Sequence, residues 1–263
     1  MEQPQGDVLY AVENGVGTIR LNRPDKMNAL IPGLGEGLYR SLEAATSDDE
    51  VRVVVITGSG RAFCAGADVT AMAQRAGRAA QPPAQMAPRT HLALLIQQCP
   101  KPVIASVNGV AVGFGLDLAL ACDIRIASDQ ARFSEAYIRR GMHPAGGGAY
   151  FLPRLVGIDR ALLLSWTGDM IDAKEAERIG MVTMVVPHDE LDSTTRDLAE
   201  KLAKGPALAI QNAKRAIYEG LGLDLKTSLD KTMAARQSLL GTADHKEGTT
   251  SFVEKRAPQF KGK

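Results

Sequence analysis

Residues 101–123 read KPVIASVNGVAVGFGLDLALACD. Lys101 to Val107 has the pattern of a strand buried on both faces. A glycine-rich turn follows, and Gly115 to Cys122 then reads as a helix. A strand buried on both faces needs cover on both, so this segment places the chain among layered α/β proteins.

The flanking sequence extends the same alternation. Val8 to Val12 and Val16 to Leu21 are strand-like runs joined by Glu13-Asn14-Gly15, which is hairpin chemistry. Arg23-Pro24-Asp25-Lys26 is a turn, and Pro32 to Ala45 reads as a helix with Leu34, Leu38 and Leu42 on one face. Val51 to Thr57 is a β-branched run with the pattern of a strand buried on both faces, followed by the glycine-rich loop GSGRAFCAGAD at 58–68. Residues 73–89, rich in Ala, Gln, Pro and Arg, read as a mobile surface segment. A helix at His91–Gln98, a strand at Ile124–Ala127 and an apolar helix at Ala149–Val156, preceded by PAGGG at 144–148, come next. From about Asp189 onward helix dominates, with spaced apolar residues such as Leu198 and Leu202, Ile210 and Ile217, and across 223–240.

Composition narrows the function. The 263 residues are 45% hydrophobic and 23% charged, ordinary for a globular protein. Thirty-one basic against 30 acidic residues leave a net charge of +1, which argues against a general nucleic-acid or acidic-membrane surface. Three widely spaced cysteines, Cys64, Cys99 and Cys122, make no disulfide framework and fit a reducing cytoplasm. Four scattered histidines suggest no metal site. No signal pattern opens the chain, and no apolar run reaches membrane-spanning length.

Several familiar motifs fail. Gly113-Phe114-Gly115 would need a third glycine at Leu118 to bind a dinucleotide. The 58–66 loop lacks the Lys-Ser/Thr ending of a phosphate loop, and neither G-x-S-x-G nor H-E-x-x-H occurs. Glycine loops with few nucleophiles favour chemistry done by positioned backbone donors and a carboxylate.

Taken in order, five segments resemble the crotonase superfamily, the enoyl-CoA hydratase/isomerase family. They are RPDKMNAL at 23–30, GSGRAFCAGAD at 58–68, KPVIASVNG at 101–109, the run Gly113 to Asp123, and FVEKRAPQFKGK at 252–263. The resemblance implies a spiral of ββα units over residues 1–190 and a helical trimerisation part over 191–263. It implies an acyl-CoA thioester substrate, homotrimers or dimers of trimers, and no cofactor or metal, because the thioester itself is the activating group. Chemistry of this kind passes through an oxyanion, which two backbone N–H groups stabilise in a low-dielectric pocket. By resemblance these belong to Ala67 and Phe114, the latter standing where the family usually has glycine. Arg23, Lys26, Ala65 and Asp68 fall where the coenzyme binds.

Hydratases of the family carry two glutamates, one acting as acid and one as base. Here the first position is Asp117 and the second, twenty residues on, is Tyr137. A further position used for a catalytic aspartate in the family is Ala145. Asp117 is therefore the principal carboxylate. Tyr137, with an ordinary pKa near ~10, is a hydrogen-bond donor rather than a base. Glu135, two residues earlier, is a replacement for the missing glutamate or a solvated acid, and His143 is a proton-transfer group or a loop histidine. Cys64 reads as a packing residue, and Trp166 as core or interface. Lys255 and Arg256 read as coenzyme contacts from a neighbouring subunit or as a solvated face. Enoyl-CoA hydration ranks first. Double-bond isomerisation follows, then thioester hydrolysis, ring cleavage or decarboxylation, and last acyl-CoA binding without catalysis.

Overall fold

The computed structural model describes residues 6–70 and 91–263, with Ala73 between them. The 73–89 segment read as mobile therefore lies, Ala73 apart, outside the described residues.

Between Val53 and Ser134 the chain winds so that successive strands alternate between two sheets. Strands β1 (Val8–Glu13) and β2 (Val16–Leu21) form the expected hairpin, its turn placing Asn14 and Gly15 at positive φ. Helix α1 (Pro32–Ser47) starts with proline in its first turn and buries Leu34, Leu38 and Leu42, the stripe visible in the sequence. Then come β3 (Val53–Gly58), β4 (Ala62–Cys64), α2 (Leu92–Gln98), β5 (Val103–Val107), β6 (Val110–Val112) and α3 (Phe114–Ala121). The next turn of the spiral is β7 (Ile124–Ser128), β8 (Arg132–Ser134), a 3-10 turn (Ala136–Arg140), α4 (Gly148–Val156) and α5 (Ile158–Thr167). β9 (Ile171–Asp172), α6 (Ala173–Arg178) and β10 (Met184–Val186) close it.

The larger sheet has the order β1-β2-β3-β5-β7-β10, and the smaller β4-β6-β8-β9. From β2 to β10 the larger sheet is parallel. This is the α/β architecture of repeated ββα units, the β5–β6–α3 unit being the clearest. The three- and two-residue strands of the smaller sheet had no reading in the sequence, because they are too short to show a period. The strands of the larger sheet are apolar on both faces for a reason: one face meets the main core with α1 and α3, and the other lies under α7 (Leu191–Ala203).

Three further helices, α8 (Ala207–Gly220), α9 (Leu225–Leu239) and α10 (Ala243–Val253), follow. Helix α8 docks on the spiral through Asp123, which directly follows the α3 cap. Its carboxylate accepts bonds from Lys214 Nζ (2.8 Å), Tyr218 Oη (2.8 Å) and the Val103 amide (2.7 Å). Trp166 is 68% exposed on α5, which removes the core reading. Among the described residues no helix is long and apolar enough to cross a membrane.

Candidate active site

The site begins with the tight reversal at 23–30. Pro24–Lys26 forms a 3-10 turn, and Met27 and Asn28 both take positive φ. Asparagine tolerates that conformation better than most residues. Its buried side chain holds the turn to the neighbouring strands: Nδ2 donates to the carbonyls of Ala62 (2.7 Å), Ser59 (3.0 Å) and Phe63 (3.2 Å), and Oδ1 accepts from the Arg23 amide (2.8 Å). The reversal in turn grips the loop at 65–68. Ala65 N–H donates to Met27 O, Leu30 N–H to Gly66 O and Asp68 N–H to Leu30 O. These bonds leave the Ala67 amide without a backbone acceptor among the described residues.

Opposite stands the start of α3. Gly113 has φ 52° and ψ −117°, a conformation open essentially to glycine alone. Gly115 is required by contact, because a Cβ there would overlap the Cys64 carbonyl. Phe114 supplies the first amide of the helix, a position with no intrahelical acceptor. Its side chain packs partly against the core, which lets a bulky residue replace glycine at this amide. Ala67 and Phe114 line one pocket together with Tyr137, Arg140 and Met142.

One turn into α3, Asp117 is fully buried. Its Oδ2 accepts bonds from Tyr137 Oη at 2.6 Å and the Gly146 amide at 2.8 Å, while Oδ1 has no partner. Burial raises the Asp117 pKa, and those donors, together with the nearby Gly148 amide, oppose the rise. Burial and the Asp117 charge raise the Tyr137 phenol, so it stays protonated and donates. Glu135, also fully buried, has no hydrogen-bond partner at either oxygen among the described residues. Burial first, and the Asp117 charge second, push its carboxyl up to about 9. The alternative of a solvated or salt-bridged Glu135 is thereby removed. Cys64 is buried, and its thiol is pushed up to about 11, which makes it a packing residue and not a nucleophile.

The remaining candidates lie elsewhere. His143 is exposed, and its Nδ1 stands 3.0 Å from the Pro144 carbonyl oxygen; no bond joins it to Asp117 or Glu135. Ala145 lines a neighbouring cavity with Leu94, Gly146 and Phe151, so Asp117 lies between two cavities, behind Tyr137 on one side and Gly146 on the other. The Arg23 guanidinium donates to Ala29 O at 2.6 Å and stands 3.8 Å from both Asp7 and Asp68, so it braces the turn. Lys26 is exposed on that turn. Arg256 is engaged by Glu247 and Glu254. Sequence reasoning missed the Gly146 amide as the partner of Asp117. The run Gly146-Gly147-Gly148 was its only signal, and it read simply as the lead-in to a helix.

Two amides without a backbone acceptor among the described residues stand beside a buried acid and a phenol, an arrangement suited to enzymes that stabilise an oxyanion. The profile of the Enoyl-CoA hydratase/isomerase family matches residues 11–263, and the chain belongs to that family of enzymes. It is 37% identical to 2,3-dehydroadipyl-CoA hydratase of Escherichia coli K12, covering 98% of this chain and 99% of that one. It is 36% identical to 1,2-epoxyphenylacetyl-CoA isomerase of the same organism, covering 97% and 98%. The crystal structure of enoyl-CoA hydratase from Bacillus anthracis superposes with a TM-score of 0.88 at 37% identity, over 98% of this chain and all of that one.

Proposed function

We propose that the protein hydrates an enoyl-CoA thioester. The thioester oxygen sits between the amides of Ala67 and Phe114, which carry the charge of the enolate as it develops. Asp117 is the acid/base, and Tyr137 holds it in orientation and positions water or substrate at the wall of the pocket. The observation that carries this reading is the lining of a single pocket by Ala67 and Phe114, whose amides have no backbone acceptor among the described residues, and by Tyr137, whose hydroxyl donates to Asp117. The apolar cavity beyond Gly146 takes the acyl chain. The 65–68 loop, through Ala65 and Asp68, and exposed Lys26 meet the coenzyme, with Arg23 supporting the loop behind them. His143 stays outside the proton path.

Isomerisation is the second reading, and one observation favours it: the second carboxylate position is a phenol, which leaves Asp117 to shuttle one proton alone. Residues 1–190 form the catalytic spiral and 191–263 the assembly part. The exposed apolar residues of α8 and α9, among them Ile217, Leu225, Leu229 and Met233, together with Trp166, suit contacts in a homotrimer or dimer of trimers.

A panel of trans-2-enoyl-CoA thioesters, followed by mass spectrometry with an Asp117→Asn control, tests the function. Gain of one water that disappears in the variant supports hydration. Conversion of a 3-enoyl thioester, supplied separately, to its 2-enoyl isomer of equal mass, resolved by chromatography and with no gain of water, establishes the isomerase reading in its place.

A further inference from the structure

Two fully buried carboxyl groups meet at one glycine. A methyl group built on Gly148 would overlap both Asp117 Oδ1 and Glu135 Oε1, so the two oxygens converge on the same point of backbone. Both are among the buried side-chain atoms that lack any hydrogen-bond partner, as is Glu135 Oε2. Two carboxylates are acceptors only, and placing them together in a site closed to water leaves each desolvated and repelled by the other. One proton resolves both problems, because a carboxylic acid can donate to a carboxylate.

We propose that Asp117 and Glu135 share a single proton, carried by Glu135, so that Glu135 acts as a neutral positioning residue whose O–H faces Oδ1 of the acid/base. This rests on the reading of Asp117 as the acid/base group. The surroundings decide which member holds the proton. Asp117 receives the Tyr137 hydroxyl and the Gly146 amide, and both favour its anion. Glu135 receives no donor, so burial acts on it unopposed and raises its carboxyl to about 9.

The ionisable groups facing the pair are Tyr137, from the 3-10 turn, and Cys64, from β4 beyond the phenol. The phenol is held protonated and the thiol is raised to about 11, so both are neutral at pH 7. Helix α4 offers only the backbone around Gly148. No lysine, arginine or histidine among the described residues acts on either carboxyl. With no cation to neutralise a second charge, the one-proton state is the resting state. When Asp117 takes a proton from substrate or water, the pair becomes neutral, and returning that proton restores the single charge. Glu135 thus keeps the aspartate oriented from the face opposite Tyr137 and keeps a second negative charge away from the enolate.

Infrared difference spectroscopy of the full chain tests the protonation directly, with no substrate present. The expected result is a protonated-carboxyl C=O band at pH 7 that fades with a midpoint near 9 and is missing from Glu135→Gln. In Asp117→Asn the midpoint falls, because the opposing charge is gone. Absence of the band at pH 7, or its persistence in Glu135→Gln, overturns the proposal.

The kinetic arm reads the role. kcat/KM falls on the alkaline side as Glu135 ionises, and Glu135→Gln, which keeps a neutral donor, loses that limb. The Gln variant retains about tenfold more turnover than Glu135→Ala, the difference of one hydrogen bond to a charged group. An alkaline limb unchanged in Glu135→Gln, or equal losses in the two variants at unchanged Tm, overturns the positioning role. A band that behaves as expected in a protein that turns over no enoyl thioester sinks the proposed reaction and leaves the shared proton standing.

Discussion

Tyr137 Oη donates to Asp117 Oδ2 at 2.6 Å, joining a helix and a 3-10 turn twenty residues apart in the chain. The phenol lines the pocket while the carboxylate is fully buried behind it. In Tyr137→Phe the ring stays and the donor goes. A hydrogen bond to a charged group contributes about 1.5–3 kcal/mol, or roughly 10- to 100-fold. kcat/KM should fall by that factor. Losing a donor to the anion raises the Asp117 pKa, so the acid limb of the pH–rate profile should move to higher pH. An unmoved limb would detach Tyr137 from the acid/base.

Ala67→Pro removes one proposed oxyanion donor without touching the bonds that hold its loop. Those use the amides of Ala65, Leu30 and Asp68. The expected loss is in kcat, by about 100- to 1,000-fold, with a smaller change in KM. Steady-state kinetics on the best substrate of the panel decides it. A loss confined to KM would mean that the amide serves binding alone.

Gly148→Ala drives a methyl into Asp117 Oδ1 and Glu135 Oε1. Overpacking of this kind costs about 1–3 kcal/mol. Both Tm and activity should drop, while Gly222→Ala, where a Cβ meets nothing within 4 Å, should leave both close to wild type. Thermal unfolding beside an activity assay makes the comparison.

Stability should carry the mark of Glu135 as well. Its folded pKa of about 9 lies above the ordinary value of 4.5, so between those values the folded state binds a proton that the unfolded state has released. Unfolding free energy from this group therefore declines as pH rises from about 4.5 to 9 and levels off above it. Glu135→Gln abolishes the decline. Measured by urea unfolding, the stability of Glu135→Gln relative to wild type should grow as pH rises through that window and level off above it. An advantage independent of pH would contradict the raised pKa.

Much of the scaffold was legible because local rules dictate it. The leucine stripe of α1, the Asn14-Gly15 turn and the doubly apolar runs of β3 and β5 each follow from periodicity or backbone sterics within a few residues. Asp117, Tyr137, Ala67 and Phe114 were identified by resemblance to the family's motifs; Ala67, Phe114 and Tyr137 line one pocket, and Asp117 is bonded behind Tyr137. Each of these decisions is made over short stretches of sequence, where the pattern itself carries the physics.

Glu135, Gly146 and Gly148 were settled differently. As sequence, Glu135 reads as a replacement for the missing glutamate or as a solvated or salt-bridged acid. Only the packing of α4 against α3 excludes water from it and places it beside Asp117 with no donor of its own. The same docking aims the Gly146 amide at Asp117. Arg23 instead braces its own turn, and Trp166 stands exposed on α5. Residue types and their periods determine which elements form and which chemistry is carried. Desolvation, and the sharing of a proton between two acids, depend on which surfaces close over which side chains, and that is decided by tertiary structure alone.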